Sequence, residues 1–171
     1  MKKTIFILAA LFLTLLTHGQ NSAIDEMFAK YSEKDGFTVV TISSRMLSMF
    51  AGNDADTEDA DDIMRRLKSI RILSVEDSLL NKNLNFFTEI SKKLDLQEYE
   101  ELMGVKEGHD ITKFLIRQKG DRITELLVIT GGPDGNSLIS IQGDLNLKNI
   151  SELSKSIDNQ DIKKLDKLEK K

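Results

Sequence analysis

The sequence predicts an α+β domain: a single mixed, largely antiparallel sheet of about six strands, with helices packed on it. Three observations carry this. In the first half, apolar residues spaced three and four apart alternate with two short β-branched runs, at 37–43 and 70–75. From Tyr99 the period drops to two, and four runs (99–106, 111–118, 122–130 and 137–143) are separated by turn sequences. Helical spacing then returns at Leu147, Ile150, Leu153 and Ile157.

The elements follow in order. Ile24, Met27, Phe28 and Tyr31 line one side of a first helix, which Asp35-Gly36 ends. Phe37-Thr-Val-Val-Thr-Ile-Ser43 is a strand by its β-branched content. Ser44 is placed to cap the next helix, whose apolar face is Met46, Leu47 and Phe50 and which Ala51-Gly52 stops. Residues 53–62, NDADTEDADD, hold six carboxylates ahead of Ile63, Met64, Leu67 and Ile70 at helical spacing. The acids therefore crowd a loop and the first turn of a helix, where the positive dipole end favours them, with Arg65, Arg66 and Lys68 further along that helix. After the 70–75 strand, Asp77 or Ser78 caps a longer helix running through Leu80, Leu84, Phe87, Ile90 and Leu94.

The turns Gly108-His109-Asp110, Gly120-Asp121 and the Gly131 to Asn136 segment are short, so the four late strands form an antiparallel meander. Asn146 is placed to cap the last helix, and residues 158–171 read as a charged tail in which Ile162, Leu165 and Leu168 can extend the apolar stripe. The two early strands are joined by a helical crossover, which predicts a parallel, right-handed pair. Several strands are apolar on both faces: Leu126 and Val128 oppose Leu127 and Ile129, and Val40 and Ile42 oppose Phe37 and Val39. Such strands need cover on both sides, from the chain's own helices or from a partner or second copy.

Lys2 and Lys3, the apolar run 5–16 and the small residue Gly19 after Thr17-His18 have the form of a secretory signal peptide, too short for a membrane span. The expected organisation is a signal peptide at 1–19, one α+β domain at 20–157 and the charged tail at 158–171. The expected location is exported, periplasmic or extracellular. A mature chain of 152 residues has enough core to fold without disulfides. The whole chain carries 24 basic and 28 acidic residues, for a net charge of −4, and losing Lys2 and Lys3 leaves −6. With no basic patch in its body, the chain is not expected to bind nucleic acid. It has no Cys, which excludes thiol catalysis, thiolate metal sites and a lipid anchor through cysteine.

Candidate chemistry is thin. His109, the one His left after the signal, lies in a hairpin turn and reads as turn polarity. Ser43, Ser44, Ser151, Ser154 and Ser156 form no Gly-x-Ser-x-Gly elbow, and the Gly131 to Gly135 loop lacks the Lys-Ser/Thr ending of a phosphate loop. Asp54, Asp56 and Glu58 alternate as in a calcium loop, but Asp59 stands where that loop needs Gly and Arg65 where it needs Glu. The acids cluster rather than oppose each other across a cleft, as glycoside hydrolysis would require. Lys163, Lys164, Lys167, Lys170 and Lys171 alternate with Asp161, Asp166 and Glu169, the pattern of a solvated face rather than a lipid-binding stripe. No catalytic, cofactor-binding or metal-ligating residue is assigned, and no cofactor is expected.

The signal peptide, the Phe-Thr-Val-Val-Thr-Ile-Ser strand leading into Arg45-Met-Leu-Ser-Met-Phe50, the Ile70-Arg-Ile-Leu-Ser strand and the late Ile-Gln-Gly-Asp-Leu-Asn-Leu147 together resemble a secreted bacterial family, domain-of-unknown-function 4252, Bacteroidetes type. The likeness covers about residues 21–157. It implies an exported or lipid-anchored envelope protein and transfers no catalytic residue. Without a lipid-accepting Cys, a soluble exported form is what the resemblance leaves.

The functional expectation is a non-enzymatic exported envelope protein. It would bind a protein partner, a second copy or an apolar ligand through part of its sheet, at the exposed members of Val39, Leu127 and Ile129, or through the groove beside the acidic helix. The alternatives are a metal-assisted hydrolase using Asp54, Asp56, Glu58, Asp59 or His109, and a structural envelope component without a ligand.

Overall fold

A computed structural model of the chain describes residues 22–51, 58–75, 77–146, 148 and 150. The first helix, α1 (Ala23–Tyr31), opens where the Ser22 hydroxyl accepts a hydrogen bond from Asp25 N at 3.1 Å. It buries Ile24, Met27, Phe28 and Tyr31, the stripe that the sequence predicts. β1 (Phe37–Ser43) follows. α2 (Ser44–Phe50) is capped by Ser43, one residue before the expected Ser44. α3 (Glu58–Arg66) ends sooner than its apolar spacing suggests: Leu67, Lys68 and Ile70 lie in β2 (Leu67–Val75), so the helix hands over directly to the strand.

The expected long helix after residue 77 is two short ones, α4 (Ser78–Asn81) and α5 (Phe86–Ser91). Asp77, one of the two caps the sequence offers, caps the first, and Asn85 caps the second. The break is held from outside by the side chain of Asn136. Its Oδ1 accepts from Phe86 N at 2.8 Å, and its Nδ2 donates to Asn81 Oδ1 at 3.0 Å and Gly132 O at 2.9 Å. A long-range contact thus overrides local helical periodicity. The start of α5 also sits directly on the strand beneath it. A side chain at Gly131 would meet Asn85 Oδ1 at 2.5 Å and Phe87 N at 2.6 Å, so only glycine fits there. After a 3₁₀ turn (Leu96–Glu98) come β3 (Glu100–Glu107), β4 (Asp110–Lys119), β5 (Arg122–Gly132) and β6 (Gly135–Leu145).

The six strands form one sheet in the order β1-β2-β6-β5-β4-β3, antiparallel at every junction. The late meander is as the sequence predicts. The early pair is not parallel. Ser43 pairs with Ser69 and Phe37 with Val75, so β2 starts beside the point where β1 ended. Two helices, α2 and α3, pack on each other between these strands and return the chain to the same end of the sheet. The sequence shows both helices, but the parallel expectation treats them as one crossover; two helices packed on each other cancel each other's travel and leave the strands antiparallel.

Each face of the sheet carries its own core. One gathers Leu47 of α2, Ile63 of α3 and Ile150 over Ile70, Phe114, Leu126, Val128, Ile139 and Ile141. The other gathers Ile24, Met27 and Phe28 of α1 with Phe86 and Ile90 of α5 over Leu73, Leu115, Leu127, Ile129 and Leu138. Tyr31 stacks on Phe37 with ring centroids 4.6 Å apart and lies 5.2 Å from Phe86, tying α1, β1 and α5 together. The strands are therefore apolar on both sides as expected, but the chain's own helices provide the cover. Leu127 and Ile129, two of the three residues expected to meet a partner, are fully buried, and Val39 is half-buried within the same core. That part of the expectation is corrected: the centre of the sheet has no apolar surface left to offer.

Candidate functional site

The densest gathering of polar side chains lies in the core at one end of the sheet, around Glu125 of β5. In register, Arg117 of β4 and Gln142 of β6 flank Glu125, and Ser140 lies one pleat along. Each flanking pair is interrupted by a register shift at this level, between Arg117 and Gln118 and between Ile123 and Glu125. Such bulges increase local twist and re-aim side chains. The Glu125 carboxylate is wholly buried. Its Oε1 accepts from Ser140 Oγ at 2.6 Å and Gln142 Nε2 at 3.3 Å, and its Oε2 accepts from Arg117 at 2.7 Å and the Tyr99 hydroxyl at 2.9 Å. Burial, and then the neighbouring Glu125 charge, push the Tyr99 hydroxyl far above the ordinary phenol range, so it remains a donor. Arg117 also lies over the Tyr99 ring, 5.5 Å from its centroid, and reaches Glu98 at 3.6 Å.

A carboxylate accepts about four hydrogen bonds, and Glu125 has four donors in place. No lone pair is left to take a proton from a substrate or to ligate a metal. The cluster joins β4, β5, β6 and the 3₁₀ turn, and its chemistry is that of an anchor. The sequence reading missed it. The available signal was a lone acid in the apolar run Ile-Thr-Glu-Leu-Leu-Val-Ile, with Arg117 brought opposite by the Gly120-Asp121 turn.

The residues singled out from the sequence do not converge. His109 is exposed in the β3–β4 turn. Asp54 and Asp56 lie outside the described residues, and Glu58 and Asp59 are in the first turn of α3. Among the described residues no three His, Asp or Glu side chains gather as a metal site. No described helix is long and apolar enough to cross a membrane.

A different surface stands out at the corner where β1 runs into α2. Leu47 is the buried residue of α2, and the C-cap Ala51 that follows it is buried too. Met46 and Phe50, four residues apart on another side, are 46 % and 59 % exposed, and Met49 beside them is exposed too. The sequence reading had placed Met46 and Phe50 inward with Leu47, and the structure corrects this. Val40, at the middle of β1 and on the same sheet face as Ile42, is exposed as well. Four of the six large apolar side chains exposed among the described residues thus fall between positions 40 and 50; the other two are Leu79 and Leu96. β1 is also an edge strand, with no described strand on its outer side. It carries no charge and no Pro, and it is the one strand whose described pairing has no register shift.

The model of a family described as a domain of unknown function, DUF4252, matches residues 31–153, which span β1 to β6, all of the α2–α3 core and the other core apart from its α1 residues Ile24, Met27 and Phe28. The chain belongs to this family. The matched region includes the β1–α2 corner and the Glu125 cluster and excludes most of α1. No curated protein and no solved structure matches the chain.

Proposed function

We propose that this DUF4252 protein is a non-enzymatic, exported module that recognises a protein partner through the β1–α2 corner. The supporting observation is the concentration of exposed Val40, Met46 and Phe50 beside an uncharged sheet edge, in a chain whose sheet faces are otherwise covered by its own helices. Exposed apolar groups that cluster mark contact surfaces more often than scattered ones do. An open edge adds backbone donors and acceptors that a partner strand can pair. Export rests on the N-terminal pattern of Lys2, Lys3 and the apolar run 5–16.

Photo-crosslinking in the producing cell tests this reading. A benzophenone side chain is placed at Met46 or Phe50, and at Leu79 or Leu96 as controls of comparable exposure. Protein adducts from positions 46 and 50, absent from 79 and 96, are expected. No adduct from the corner, or equal adducts from all four positions, overturns the reading.

A further inference from the structure

We propose that the partner at this corner is a second copy of the chain: two protomers pair antiparallel through β1 about a two-fold axis at Val40, joining their sheets into one. The inference rests on the corner being a recognition surface and adds what occupies it.

An edge strand presents unpaired N–H and C=O groups along its outer side, and soluble proteins usually blunt it with charge, Pro, bulges or cover. The other edge of this sheet is blunted. β3 carries Glu100, Glu101, Lys106 and Glu107, and its pairing shifts between Glu101 and Met103. Over its seven residues β1 carries no charge and no Pro, and its described pairing has no register shift.

The strand is also complementary to itself. Val40 is its central residue and has an exposed side chain. An antiparallel copy in register about that point sets Val40 against Val40, Val39 against Thr41, Thr38 against Ile42 and Phe37 against Ser43. No pair in the seam opposes like charges, and the aliphatic and β-branched pairs are of the kind that stabilise a ladder. The flanks add direction. Asp35 immediately precedes the Gly36-β1 segment and Arg45 lies in the first turn of α2, both are exposed, and neither has an ion pair among the described residues. Both lie five residues from Val40, so the antiparallel register brings Asp35 of one copy toward Arg45 of the other, whereas a parallel pairing would bring like toward like. The α2 helix of each copy, which packs on β1 and β2, then lies near the seam. A contact made by one strand and one short helix is at the small end of specific interfaces, so the expected dimer is weak, with Kd of about 10–100 μM.

Sedimentation of the purified chain across that concentration range tests the proposal. A monomer–dimer equilibrium is expected. Val40→Lys should weaken the dimer at least about tenfold while circular dichroism and melting temperature stay unchanged. Asp35→Arg should also weaken it, and the double variant Asp35→Arg with Arg45→Asp should restore it, because the swap re-forms the opposite-charge pairing only between two antiparallel copies. A chain that stays monomeric throughout, a dimer that persists in Val40→Lys, or a charge swap that fails to restore association overturns the proposal. The crosslinking above separates this failure from that of the broader reading. Adducts at positions 46 and 50 with a mass other than twice the chain's would leave the corner as a recognition surface and remove the second copy from it.

Discussion

The two ends of the sheet are built differently. The β3 end is dressed with charge: Lys113 of β4 donates to Glu101 at 2.6 Å, and Arg117 joins Glu98 to the buried Glu125 cluster. The β1 end is plain, a regular run of Phe, Thr, Val, Ile and Ser with exposed apolar groups of α2 beside it. Both are edges, with the same backbone groups to satisfy. Among the described residues, charge and a register shift protect the β3 edge and neither is found at β1. The proposed self-pairing of β1 rests on this contrast.

This contrast can be broken most forcefully at the charged end. Glu125→Ala removes the acceptor for four donors, and the fold should lose about 3 kcal/mol, toward the low end for a broken buried pair because Arg117 is partly exposed. Chemical denaturation would measure the loss, and a change below about 1 kcal/mol would contradict the anchoring role. At the plain end, the substitutions at Val40, Asp35 and Arg45 should alter association and leave the same denaturation curve in place.

Smaller effects follow from pH. Arg71, which lies over the Phe28 ring, donates to Asp25 and holds its carboxyl below the ordinary range. Burial pushes Glu89 up, but hydrogen bonds from Lys30 and Tyr31 outweigh it, and its carboxyl also lies low. Both groups have folded values below their unfolded ones. Their contribution is complete above about pH 4 and is lost as the pH falls through the folded values. Asp25 and Glu89 are the clamps of α1 on β2 and α5, so acid loosens the α1 side. Tyr99, raised by burial and by Glu125, behaves oppositely. Its contribution is complete below about pH 10 and declines as the pH rises beyond that, so alkali loosens the Glu125 end; Tyr31, raised by burial, and Lys30, raised by its hydrogen bond to Glu89, add an alkaline loss on the α1 side. Melting temperatures across pH should show both limbs. Asp25→Asn should flatten the acid limb, and Tyr99→Phe should take the largest share out of the alkaline one.

Local signals made most elements readable and long-range ones remained hidden. The stripe Ile24, Met27, Phe28, Tyr31, the strand at 37–43 and the late meander are set by periodicity and turn chemistry within a few residues, and each appears in the structure as the sequence predicts. The split between α4 and α5 depends on Asn136, fifty residues beyond Phe86, and no local pattern reports it. The antiparallel β1–β2 pairing depends on how the two helices of the connection pack on each other; both are legible in the sequence, but their mutual packing is not. The inward side of α2 was misread because Met46, Leu47 and Phe50 are all apolar at compatible spacings, and which of them turns inward is decided by packing. At the site, the uncharged character of β1 was visible, but its position at an edge was not, since strand order is a property of the whole sheet.

The most direct measurement is hydrogen–deuterium exchange of the two edges at low and high protein concentration. On raising the chain from about 1 μM to about 200 μM, amides in 37–43 should gain protection while those in 100–107 exchange at an unchanged rate. Exchange in β1 that is indifferent to concentration, or protection that rises equally at both edges, would contradict a self-pairing β1.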